Sequence, residues 1–75
     1  MTKLPRGMSG KEVVKALQRA GFYVKRQKGS HIVLRRDSPF AQVTVPDHKS
    51  VDTGTLSNIL DGAGLSVEEF IKLLN

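Results

Sequence analysis

Apolar residues recur along this chain with two different periods, and the change of period marks its elements. Val13, Val14, Leu17 and Ala20 share one face at helical spacing. Ser9-Gly10-Lys11-Glu12 precedes them with the Ser-x-x-Glu spacing of a capping box, and Gly21 follows as a stop signal. From Phe22 the period drops to two. Phe22 to Gln27, His31 to Arg36 and Ala41 to Val45 read as strands, joined by the turns Lys28-Gly29-Ser30 and Asp37-Ser38-Pro39-Phe40. Pro46 ends the third strand, and residues 46–52 form a polar loop. Thr53-Gly54-Thr55 then opens a helix whose apolar positions are Leu56, Ile59, Leu60 and Ala63, closed near Gly62 or Gly64. Ser66-Val67-Glu68-Glu69 is a second capping box, and it starts a short last helix with Val67, Phe70, Ile71 and Leu74 on one face.

Short connections make this order an α+β fold: an antiparallel meander with the helices on one face. Regular alternation would turn Phe22, Val24, Ile32, Leu34, Val43 and Val45 toward the helices. Tyr23, Lys25, Gln27, His31, Val33, Arg35, Gln42 and Thr44 would share the open face. Seventy-five residues without a repeat or linker make one domain, 1–75, with a small core. The chain has no cysteine, which removes disulfides and thiolate metal cages and fits a reducing cytoplasm. No apolar run approaches a membrane span, and the basic start, Met1 to Gly7, lacks the apolar stretch of a secretory signal.

Charge changes the picture more than composition does. The net charge is +5, but it is divided unevenly. Residues 1–36 hold ten Lys/Arg against Glu12 alone, a balance of +9, while residues 37–75 hold two Lys against six acids, a balance of −4. A cationic pole of this kind points to a polyanion, above all nucleic acid. The basic residues converge on the turn Lys25-Arg26-Gln27-Lys28-Gly29-Ser30-His31. There an imidazole, the side chain suited to proton transfer near neutral pH, meets phosphate-binding cations.

RNA carries its own nucleophile in the 2′-hydroxyl, so a ribonuclease can work with proton transfer and positive charge alone. His31 is the candidate acid or base, and Lys25, Lys28 and Arg35 are the candidate cations. The backbone N–H groups of Gly29 and Ser30 are candidate anion contacts. His48 is either the acid–base partner of His31, a phosphate contact, or a loop residue that orders the approach to the next helix. The equally simple reading of His31 is a surface histidine beside a hairpin turn. A metal site built from His31 and His48 is not expected, since Asp37 and Asp47 occupy turn positions that already explain them. No glycine motif for a nucleotide cofactor is present.

Met8-Ser9-Gly10-Lys11-Glu12-Val13, Ala20-Gly21-Phe22, Arg26-Gln27-Lys28-Gly29-Ser30-His31, Val45-Pro46-Asp47-His48 and Gly54-Thr55-Leu56-x-x-Ile59-Leu60 occur in an order that resembles the HicA toxins, small ribonucleases of toxin–antitoxin pairs. The resemblance implies a double-stranded-RNA-binding-domain-like fold. It implies cleavage of messenger RNA, with His31 as the catalytic group. It also implies a HicB-type antitoxin, as partner, that covers the active face. The residues expected on the RNA, in its single-stranded regions, are Lys25, Arg26, Lys28, Gly29, Ser30, Arg35 and His48. No cofactor and no metal are expected, and the expected location is cytoplasmic. Two other functions compete. One is a non-catalytic RNA-binding module on the same fold; against duplex recognition, residues 52–62 contain no Lys or Arg. The other is an interaction protein whose basic face meets an acidic protein.

Overall fold

The computed structural model describes residues 3–74; Met1 and Thr2, the first residues of the stretch read as no secretory signal, lie outside it, as does Asn75. The element order is α1 (Gly10–Arg19), β1 (Tyr23–Lys28), β2 (His31–Asp37), β3 (Phe40–Pro46), α2 (Thr53–Ala63) and α3 (Val67–Leu73). The three strands form one antiparallel sheet in the order β1-β2-β3. This is the expected α+β meander, consistent with a double-stranded-RNA-binding-domain-like fold.

Local chemistry delimits the helices as the sequence suggests. The Ser9 hydroxyl accepts from Glu12 N–H, and the Glu12 carboxylate accepts from Ser9 N–H. Ser66 and Glu69 repeat the arrangement at α3. Gly21, at φ 93°, takes the left-handed conformation that lets Phe22 N–H reach back to Leu17 O and end α1. At α2 the N-cap is Asp52, one residue before the expected start, because its carboxylate accepts from Gly54 N–H at 3.0 Å. Of the two candidate stops, Gly64 closes this helix.

The helices cover one face of the sheet. Ile32, Leu34, Ala41, Val43 and Val45 pack there against Val13, Ala16 and Leu17 of α1, Leu56, Ile59, Leu60 and Ala63 of α2, and Phe70 of α3. Phe22 is buried just ahead of β1 rather than within it. Val24 is a correction: it shares Leu34's face but is 42% exposed, because it lies on the sheet's outer edge.

A second correction concerns the open face. Val24 pairs with Leu34 and Arg26 with Val33, so Lys25 is an extra residue, a β-bulge. Past the bulge every side chain of β1 changes face. Arg26 and Lys28, not Lys25 and Gln27, therefore lie on the open face beside His31, while Gln27 pairs with Ile32 on the other side.

Candidate functional site

Three chain segments meet at one corner of the open face. The first is the β1–β2 hairpin. Its two-residue loop, Gly29-Ser30, has positive φ only at the glycine (58°), the sign pattern of a II′ turn, whose twist suits a hairpin. That turn sets Lys28 opposite His31, with their Cα atoms about 5 Å apart. The second segment is the end of β3, where Pro46 flanks His31 on its other side. The third is the loop that follows, held by two backbone bonds: Asp47 N–H donates to Ser30 O at 2.7 Å, and Gly10 N–H donates to His48 O at 2.9 Å.

Gly10 makes that second bond possible. A Cβ there would overlap Pro46 O and come within 2.9 Å of Asp47 Cα. The start of α1 thus lies against the backbone of residues 46–48. The glycine of the opening block is required by close approach, not by flexibility.

His31 and His48 are both exposed, as are Lys25, Arg26, Lys28, Gly29 and Ser30. His48 lies two residues beyond the partner of His31, in the stapled loop, so its backbone belongs to the same corner. Val33, Thr44 and Arg26 form the next row along the open face. Arg35 is not part of this corner. It lies four residues along β2, about 13 Å from His31 at roughly 3.3 Å per residue. Its Nε donates to Asp37 Oδ1 at 2.8 Å, and its guanidinium sits 5.2 Å from the centre of the Phe40 ring. Lys25, the bulge residue, faces none of the β2 partners.

Reading by residue type missed Arg36. It alternates onto the helix-covered face, where Nη2 donates to Ala63 O at 3.2 Å, Nε donates to Pro39 O at 3.0 Å, and the guanidinium stacks 4.7 Å from the Phe22 ring. The signal was its parity with Ile32 and Leu34. Tyr23 donates to Asp37 at 3.1 Å; partial desolvation first, and this bond second, hold its phenol above its usual range. Among the described residues, no three His, Asp or Glu converge as a metal site, and no helix is long and apolar enough to cross a membrane.

No curated protein matches the chain. The family model described as HicA toxin of bacterial toxin–antitoxin systems matches residues 10–65, which runs from the start of α1 past the end of α2 and takes in the whole corner. A match of that extent, on the fold and blocks just described, shows that this chain belongs to the HicA toxin family.

Proposed function

We propose that the chain is an endoribonuclease that cleaves messenger RNA in single-stranded regions without a metal, as the toxin of a pair whose HicB-type antitoxin restrains it in the cytoplasm. The observation that carries this reading is the pairing of His31 with Lys28 beside a glycine turn, with Arg26 on the same face. His31 takes the proton of the 2′-hydroxyl, and the oxygen attacks the adjacent phosphorus. The bond to the 5′ oxygen breaks, leaving a 2′,3′-cyclic phosphate and a 5′-hydroxyl. The leaving oxygen takes a proton from a second group, for which His48 and Lys28 are the candidates in the corner. Lys28 and Arg26 offset the charge that develops on the phosphorane, and the exposed Gly29-Ser30 turn offers backbone N–H groups to it. Lys25 and Arg35 serve more distant parts of the RNA.

The test is cleavage of an end-labelled single-stranded RNA in excess EDTA by the wild-type chain and by His31→Ala. Wild-type cleavage with an inactive, equally stable variant is the expected result, since an exposed side chain costs no more than about 0.5 kcal/mol to remove. Equal cleavage by both removes His31 from the mechanism. Salt-dependent binding by both, with cleavage by neither, favours the non-catalytic module.

A further inference from the structure

The open face has a second end, and its chemistry is unlike that at His31. Two of the four aromatic residues, Phe22 and Phe70, are buried in the core. The other two are not: Tyr23 is 43% and Phe40 65% exposed. Both belong to the open face, since Tyr23 pairs with Arg35 and Phe40 with Asp37, in register with His31 and Val33.

These side chains are held in place. The Asp37 carboxylate accepts from Tyr23 Oη and from Arg35 Nε, and the Arg35 guanidinium lies against the Phe40 ring. The salt bridge offsets the one cation of the cluster with its one anion. The result is a set of flat, pre-oriented surfaces with little net charge. Among the described residues, Arg26 and Lys28 form no such ion pair. The face therefore divides into a cationic end suited to phosphates and an aromatic end suited to bases, the two components that single-strand binders combine.

We propose that Tyr23, Arg35 and Phe40 form a base-stacking subsite for single-stranded RNA that sets which phosphate reaches His31. The inference rests on the RNA reading above and extends it to the register of the strand. The separation of about 13 Å along β2 spans at most about four nucleotides, even if they stay stacked at roughly 3.4 Å each. A base seated at the aromatic end thus limits which linkage lies at His31. Stacking of this kind favours the bases that stack most strongly, so the subsite sets the cut at a fixed distance from such a base without reading hydrogen-bonding edges.

The test uses the full chain with His31→Ala, so that RNA survives, and a fluorescent single-stranded RNA octamer. Adding Tyr23→Ala and Phe40→Ala should weaken binding about tenfold and leave the slope of log K against log salt unchanged, because no phosphate contact is lost. Adding Phe40→Trp instead should retain affinity. Arg26→Ala with Lys28→Ala should lower the slope by about one to two. With His31 intact, Phe40→Ala should spread the cut sites on a defined RNA, a readout independent of affinity; Phe40 is exposed enough for this variant to fold.

Affinity within about twofold, together with an unchanged cut pattern, overturns the subsite. A lower salt slope makes the cluster a phosphate contact and overturns it too. Unchanged RNA affinity with lost binding of the cognate antitoxin assigns the cluster to a protein instead. If the His31→Ala chain binds no RNA at all, the RNA reading itself falls, and the subsite with it.

Discussion

Replacing Arg36 with alanine should cost stability and leave RNA handling nearly untouched, although the residue adjoins Arg35 in a strongly basic half of the chain. Arg36 holds Ala63 O, one of the carbonyls that α2 leaves without a helical partner, and it brings a cation to the negative end of that helix. It also holds Pro39 O in the β2–β3 turn and covers the Phe22 ring. Two partly solvated charged hydrogen bonds are worth about 1 kcal/mol each, and the ring contact about 0.5–1 kcal/mol. Because these terms are coupled, about 2 kcal/mol is the working figure. A domain of this size melts about 6 °C lower per kcal/mol, so Tm should fall by about 12 °C. Thermal unfolding followed by circular dichroism measures this directly. Arg36→Met keeps the stem over Phe22 but loses both hydrogen bonds, and should fall between. Arg26→Ala, which removes an exposed cation from the open face, is the comparison and should move Tm by no more than about 3 °C. If Arg36→Ala melts within that same margin, the division into structural and RNA-facing arginines is wrong.

Three other perturbations test the corner and the caps. Gly10→Ala should destabilise by about 1–3 kcal/mol, measured by chemical denaturation, because the added methyl overlaps the 46–48 backbone; on helix propensity alone the same change would stabilise. Deleting Lys25 should leave the hairpin paired as before and the protein folded, since the deletion removes only the bulge; amide chemical shifts of β2 that move throughout would refute the bulge. Glu12 and Glu69 are held below the usual carboxylate value of 4.5, in each case first by the backbone N–H of the capping serine and then by its side chain. A carboxylate with a lowered folded value contributes stability that is complete above 4.5 and lost as pH falls through that lowered value. Glu12→Gln with Glu69→Gln should therefore flatten stability against pH in that acidic window; an identical slope would contradict the caps.

The helices were legible because their signals are redundant: a capping box, an apolar stripe and a glycine stop agree at α1, and a box and a stripe agree at α3. The His31 corner was legible in part. The glycine turn and basic run mark it, but nothing in a single sequence shows that Gly10 lies against residues 46–48, since close approach is a property of two distant backbones. Arg35 and Arg36 illustrate the opposite case. Adjacent on a strand, they must point to opposite faces, so the parity that makes Ile32 and Leu34 core residues was enough to send Arg36 inward. Composition groups the two arginines together; geometry separates a helix cap from a ring-stacked ion pair.

The bulge follows from two requirements on β1 that cannot both be met by a regular strand. At one end, Val24 belongs on the face of Leu34, and the register that pairs them continues to Tyr23 with Arg35. At the other end, a two-residue Gly29-Ser30 turn obliges Lys28 to pair with His31, and regular pairing counted back from there would set Val24 against Arg35 and turn it outward. The two counts differ by one residue. Between them lie only Lys25, Arg26 and Gln27, long polar side chains with no preference for the core, so no hydrophobic anchor resists the shift and the extra residue is absorbed at Lys25. Assigning Lys25 and Gln27 to the open face extended the count from Val24 and left out the turn. The correction bears on function as well as on register. It gives His31 two cations on its own face, at Lys28 beside it and Arg26 one row along, where the uninterrupted count would have placed neither. It also kinks and charges the free edge of the sheet, which opposes pairing with another chain along β1.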